Sequence, residues 1–384
     1  MPFKKSYYKK IGIDASRSIS GGAIEHLKGT LLHPSPKVKK IQKVYLWAPS
    51  STLIQIPNHS WLEKISTDFL GNLILNKIFW QLFVLPITCK KLDINLLFNT
   101  DAGSLCNFRP SLTLLQNIIP FENKILFKYK LYQRSFYRNL FLRFIYIRRL
   151  NNTDHIIFLS KYSKKVAGNF IKIKSYSIIP HGVDESFYEV KYKKINEKKS
   201  SPIHALYVSN ALIYKNQWNV IAAIAKIRNR HGIDIKLKIV GGGSGLAFNK
   251  MKLSKDKYDK KSNFIKLCGF TSKNQIKKDY QSSHIFIFAS SCESFGITLL
   301  EAMSTGIPIV CSNKSSLPEI IKDNTVYFDP ENIEEIIAAI MKILKNNQLR
   351  KKLSIGAKSR SMYFSWDKSA KLTWNTLNNL SNSN

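Results

Sequence analysis

Short apolar runs alternate along the chain with longer amphipathic stretches. KKIGIDAS (9–16) predicts a buried strand, RSISGG (17–22) a small, flexible loop, and AIEHLKGTLL an amphipathic helix. Strand, glycine loop and helix make the opening unit of a nucleotide-binding α/β domain. KVYLWAP (43–49), INLLFNT (94–100), SLTLLQN (111–117) and DHIIFLS (154–160) predict further strands. They are continuously apolar rather than alternating, the pattern of parallel strands covered on both faces. The basic, aromatic stretch 122–150 predicts one long helix, and SYSIIPHGVD (175–184) ends the first half. Residues 190–202 are Lys-rich, poor in large apolar residues and closed by Ser-Ser-Pro, which reads as a linker. The pattern then restarts. HALYVSN (204–210), IDIKLKIVGGG (233–243), NFIKLCGF (263–270), HIFIFAS (284–290) and IPIVCSN predict strands. WNVIAAIAKIRNR and ITLLEAMSTG predict helices, and Ser272 with Gln275 predicts a capping box opening another. The expected architecture is α/β, with two doubly wound domains.

Composition sharpens this in three ways. A chain of 384 residues with 44% hydrophobic side chains can fill two cores and is not a disordered polymer. A formal charge of +35 points to an anionic partner, whether nucleic acid, an acidic membrane face or a phosphorylated ligand, or else to compositional drift. No RNP motif, zinc finger or basic zipper accompanies that charge, so nucleic acid is not the expected partner. The five cysteines are odd in number and lack CxxC spacing, which favours neither disulfides nor zinc and fits a reducing compartment. The N-terminal stretch lacks the apolar core of a signal peptide, and IFWQLFVLPI (78–87) is too short to span a bilayer. The expected location is cytoplasmic, or peripheral on the cytosolic face of an inner membrane.

The chemistry concentrates in Ser-Cys-Glu-Ser-Phe-Gly-Ile-Thr-Leu-Leu-Glu-Ala (291–302). Ligands of open parallel sheets sit beyond the carboxyl ends of the strands, where this loop falls. Gly296 permits a tight turn, and a helix beginning near Ile297 offers amide N–H groups and a positive dipole end to a phosphate or sugar hydroxyl. Glu293 and Glu301 can accept hydrogen bonds from several hydroxyls, as a polyol requires. Glu301 reads equally as an idle helix residue, although its neighbours Leu299, Leu300, Ala302 and Met303 are apolar.

Glu293 and Glu301, with Phe295-Gly296, Ala302-Met303, Gly306, Pro308 and Pro318-Glu319 around them, resemble the E-x7-E segment of the family-4 type of retaining glycosyltransferases (glycosyl transferases group 1). The resemblance covers most of the chain. Gly21-Gly22 is similar to the family's N-terminal glycine loop, Pro180-His181-Gly182-Val183-Asp184 to its P-x-G-V-D turn and Lys215-Asn216 to its Lys-Gly or Lys-Asn. Val240-Gly241-Gly242-Gly243 is similar to its glycine-ended strand, and Phe364-Ser365-Trp366-Asp367 to the start of its C-terminal helix.

The resemblance implies a GT-B fold. An N-terminal Rossmann-like acceptor-binding domain (1–190) and a linker (191–203) would precede a nucleotide-sugar-binding domain (204–360), with a C-terminal helix (361–384) crossing back to the first domain. The donor, a nucleotide-diphosphate hexose such as a mannose, would lie in a cleft between the domains. The acceptor would be a glycan or lipid-linked glycan of cell-surface polysaccharide or lipopolysaccharide. Lys215 would neutralise the leaving diphosphate, helped by amides at Ser294, Phe295, Gly296 and Ile297 and at Gly21 and Gly22. Glu301 would hold the ribose and Glu293 orient the donor sugar. No cofactor or metal is implied, and no DxD-type carboxylate pair stands in a convincing loop. Two positions depart from the family. Asn210 replaces an Arg that contacts the diphosphate, which loads more on Lys215. Asn117 stands near a frequent His, and can hydrogen-bond a sugar but not titrate near neutral pH. His181 reads as structural. Stretch 122–150 reads equally as a face for an anionic membrane or as aromatic packing with solvated cations. Other functions open to this sequence are a sugar-nucleotide epimerase on the same fold and a basic nucleic-acid-binding protein.

Overall fold

The computed structural model describes residues 9–19, 21–32, 41–71, 73–129, 133–192, 195 and 202–382. Most of the stretch read as a linker, 191–203, lies outside them. The chain forms two compact units, residues 1–182 with 365–384, and residues 183–364.

The first unit is built on a seven-stranded sheet. Its strands are β1 (Lys9–Asp14), β2 (Ile41–Ala48), β3 (Leu62–Ser66), β4 (Leu96–Asn99), β5 (Ser111–Leu115), β6 (His155–Phe158) and β7 (Tyr176–Ile178), in the order β3-β2-β1-β4-β5-β6-β7. All neighbours are parallel. β4, β5 and β6 are buried at every position, as their unbroken apolar runs require. β3 is an edge strand carrying Glu63 and Lys64, so its charges face water and its apolar signal is weak. Helix α1 (Gly22–Leu32) follows β1. The single helix expected over 122–150 is broken. A short turn, Asn123–Leu126, is separated from α2 (Arg134–Asn151) by residues that include 130–132, outside the described set. Arg143 ties the two pieces together by donating to the Pro120 carbonyl and to Asn123 Oδ1 at 2.7 Å.

The second unit carries β8 (Ile203–Val208), β9 (Ile235–Val240), β10 (Ile265–Leu267), β11 (Ile285–Phe288), β12 (Ile309–Ser312) and β13 (Val326–Phe328), ordered β10-β9-β8-β11-β12-β13 and again wholly parallel. Helix α3 (Gln217–His231) follows β8, and α4 (Ile297–Thr305) follows β11. The boundary falls at Gly182/Val183 rather than near 190. The Val183 N–H donates to the Phe364 carbonyl at 3.2 Å, and Asp184 pairs with Lys273 at 3.0 Å, so residues 183–190 are held by the second unit. The capping box expected at Ser272 is half formed. Ser272 Oγ accepts from the Gln275 N–H at 3.2 Å, but the Gln275 side chain turns to Asp279 at 2.9 Å, a buried carboxylate with greater need of a donor.

The last helix, α5 (Trp366–Asn382), returns to the first unit and lies on α1. Trp374 is fully buried there, donating from its indole N–H to the Thr30 carbonyl at 2.9 Å, edge-on to Trp61. Glycine at 182 lets this helix begin where it does. A Cβ on Gly182 would stand 2.1 Å from the Trp366 backbone nitrogen.

Candidate active site

In each sheet the strand order reverses once, between β1 and β4 and between β8 and β11. At such a reversal the loops leaving the carboxyl ends of adjacent strands part company and open a crevice. In the second unit the two loops are 209–216 and 289–296, those that carry Lys215 and Glu293.

These loops are stitched together by backbone and amide groups. The Ser291 N–H donates to the Tyr214 carbonyl at 2.7 Å. Asn216 takes a left-handed conformation with φ 52°, which short amides tolerate best after glycine. That turn aims its Nδ2 at the Ala289 carbonyl (2.9 Å), Ser291 Oγ (2.7 Å) and the Tyr214 carbonyl (3.1 Å). The Tyr207 hydroxyl donates to the Lys215 carbonyl at 2.5 Å. The backbone of Lys215 is therefore pinned from both sides before its side chain does anything.

The side chain then pairs with Glu293. Lys215 Nζ donates to Glu293 Oε1, with the two side chains only 11% and 15% exposed. The ammonium also stands 5.3 Å and 5.5 Å from the ring centres of Tyr214 and Phe288. Glu293 is fixed through its backbone. Its N–H donates to Ser315 Oγ (2.8 Å), and its carbonyl accepts from the hydroxyls of Ser315 (2.6 Å) and Ser316 (2.9 Å). The carboxylate is close enough to raise the pKa of Tyr207 and Cys311, in both cases after burial, which is the larger cause.

Gly296 takes φ 95°, a conformation closed to most side chains, and so turns the chain sharply into α4. Phe295 is core: its ring is buried edge-on to Phe364, so only its backbone can face a ligand. Ser294 and Ile297 are half-buried on either side of this turn. Glu301 is half-buried one turn after Ile297, on the same face of α4. Its charge reaches Tyr280, whose phenol is pushed up first by burial and then by Glu301.

The remaining expected residues have other settings. Asn210 is exposed, and its carbonyl accepts from Gln217 Nε2 at 2.9 Å. Asn117, in the first unit, uses Oδ1 to accept the Ile119 N–H at 3.0 Å, closing its own turn. Gly21 and Gly22 lie at the start of α1, beside the first unit's strand reversal. That crevice is ordered by Asp14, which accepts from Ser16 Oγ (2.6 Å), Gln81 Nε2 (2.9 Å) and Ser104 Oγ (3.1 Å). His181 is buried against His26 and the Trp366 ring, in keeping with a structural role. Sequence reasoning passed over Asp14, Tyr207, Gln217, Ser315 and Ser316. Of these, only Asp14, ending a strand and followed by a small-residue loop, carried a local signal.

Two parallel doubly wound units, each with a crevice at its strand reversal, are the construction of the GT-B glycosyltransferases. Residues 189–360, which lie within the second unit, match the family described as glycosyl transferases group 1. The chain is 33% identical over 104 residues to O-antigen chain mannosyltransferase B of Escherichia coli, covering 27% of each. It is 30% identical over 210 residues to an uncharacterised glycosyltransferase of Methanocaldococcus jannaschii, covering 52% of each. The match thus spans about a quarter to a half of these relatives' lengths. Among solved structures, a sucrose-phosphate synthase from Thermosynechococcus elongatus superposes with a TM-score of 0.76 at 15% identity, covering 98% of this chain and 100% of that one. Anabaena HepE in complex with UDP-glucose gives 0.71 at 16% identity, covering 96% and 99%.

Proposed function

We propose that this chain is a retaining hexosyltransferase. It would move mannose or a similar sugar from a nucleotide-diphosphate sugar to a glycan or lipid-linked glycan of a cell-surface polysaccharide or lipopolysaccharide. The observation that carries the reading is the largely buried Lys215–Glu293 pair at the strand reversal, one turn from the start of α4. The mannosyltransferase relatives and the nucleotide sugar in the HepE structure support the substrate class.

In the transfer, the bond from the anomeric carbon to the diphosphate breaks. A bond from that carbon to the acceptor hydroxyl forms on the same face, and the hydroxyl proton passes to a phosphate oxygen. Negative charge grows on the departing diphosphate, and fixed donors aimed there lower the barrier. An ammonium has three N–H groups, so pairing with Glu293 does not exhaust Lys215, which meets the phosphates. Amides at Gly296 and Ile297, at the positive end of α4, add to it. Glu293 orients the sugar hydroxyls and Glu301 the ribose. With charge handled this way the reaction needs no metal and proceeds in the presence of a chelator.

A panel of nucleoside diphosphates tests the reading. The cognate one, at 100 times its Kd, raises stability by about 2.7 kcal/mol, whereas the matching monophosphate does much less. Lys215→Gln lowers kcat for transfer by ~10²-fold or more. A panel in which no nucleoside diphosphate stabilises the chain refutes the proposal.

A further inference from the structure

Helix faces that meet water are ordinarily polar. The helical segment 74–91, formed by Ile74–Phe79, Trp80–Val84 and Leu85–Lys91, reverses this on its outer side. Leu75, Phe79, Phe83 and Ile87 recur every four residues and are 72%, 59%, 56% and 54% exposed. That spacing makes one stripe. The inner side already has its apolar partners, since Trp80, Leu85 and Cys89 pack with Trp47 and Leu97 of the sheet. The outer stripe is therefore not needed to hold the segment down.

Helix α2 carries a second stripe of the same kind, with Tyr137, Phe141 and Phe144 exposed at helical spacing. The two stripes belong to one side of the sheet. The crossovers β3→β4 and β5→β6 both run toward the β7 edge. Right-handed crossovers that run the same way lie on the same face. Cys106 links them: it packs beneath the 74–91 segment, and its carbonyl accepts from Arg149 of α2. The charge carried by these two helical segments has one sign. No Asp or Glu occurs from 69 to 92 or from 123 to 153, while Lys77, Lys90, Lys91, Arg134, Arg138 and Arg148 do.

We propose that this face of the first unit docks on an anionic lipid bilayer. The aliphatic and aromatic stripes enter the boundary between headgroups and acyl chains, and the cations meet lipid phosphates. A second copy of the same face would bring like charges together. A nucleic acid would answer the cations but leave the aliphatic stripe in water. The inference rests on this surface and not on the transfer chemistry.

The test uses the full chain and sedimentation with vesicles of phosphatidylcholine alone or with about a third phosphatidylglycerol. The expected result is at least ~10-fold tighter binding to the anionic vesicles, weakening as salt rises. Phe79→Ser with Phe83→Ser cuts that binding ~10-fold, while the melting temperature and the stabilisation by nucleoside diphosphate stay as in the parent. Arg134→Gln with Arg138→Gln weakens binding and flattens its salt dependence. Failure to pellet with anionic vesicles overturns the proposal, as does equal binding by the Phe79/Phe83 variant. So does a dimer in gel filtration that this variant abolishes, or RNA that displaces the vesicles at equal charge. Nucleotide stabilisation reports on the transfer site alone, so the two proposals fail separately.

Discussion

At Lys215 and Glu293 a cation and a carboxylate share a site that water barely reaches. Removing one leaves the other desolvated without its counter-charge, which costs about 3–5 kcal/mol for a buried pair. Lys215→Gln and Glu293→Gln should therefore each lower stability in urea unfolding, and the double variant should cost less than the sum of the two. Strict additivity would show that the pair is not coupled. Activity losses in single variants must be read against that instability. The Lys-Asn pair was visible in the sequence only through its likeness to the family's Lys-Asn, and Glu293 because a carboxylate stood in a glycine turn at a strand end. The serines that hold Glu293 were not, because Ser315 and Ser316 reach it from over twenty residues further along, through a contact that only the fold creates.

Among the elements, the buried strands were legible because continuous burial leaves an unbroken apolar run. The edge strand β3 was not, since Glu63 and Lys64 break its run. The break in the 122–150 stretch was hidden as well: its cations and aromatics continue unchanged across a turn that Arg143 holds from a distance. The returning helix α5 was announced by Phe364-Ser365-Trp366-Asp367, and its anchoring can be measured. Trp374 is 0% exposed and hydrogen-bonded to Thr30, so Trp374→Ala should cost about 3–5 kcal/mol. Truncation of the exposed Tyr363 should change stability by no more than about 0.5 kcal/mol. Comparable denaturant midpoints for the two variants would mean that α5 is not integral to the first unit.

For the whole molecule, the two units should answer acid differently. His26 and His181 are buried in the first unit with their Nδ1 atoms 3.3 Å apart, a hydrogen bond that requires at least one neutral ring, and burial favours the neutral form of both. Burial holds His26 down to about 4, and His181 lies well below its ordinary value through burial and then through His26. In the unfolded chain both take up protons near 6.5. Their contribution is thus complete above about 6.5 and is lost as pH falls from there toward 4, at up to ~1.4 kcal/mol per pH unit for each. In the second unit Asp184 is held at about 2, where hydrogen bonds from Ser186 and Lys273 outweigh burial, and it matters only below the ordinary carboxylate range. Calorimetry at pH 7.5 and 5 should show one unfolding transition moving down more than the other; equal movement would refute the assignment. The return of Ser365–Asn384 to the first unit has a consequence for biosynthesis. A ribosome delivers the whole of residues 183–364 before the last helix of the earlier unit exists. The unit translated first is therefore completed only after the second has been made, and until residues 365–384 leave the ribosome the bed that receives Trp374 stands open to chaperones.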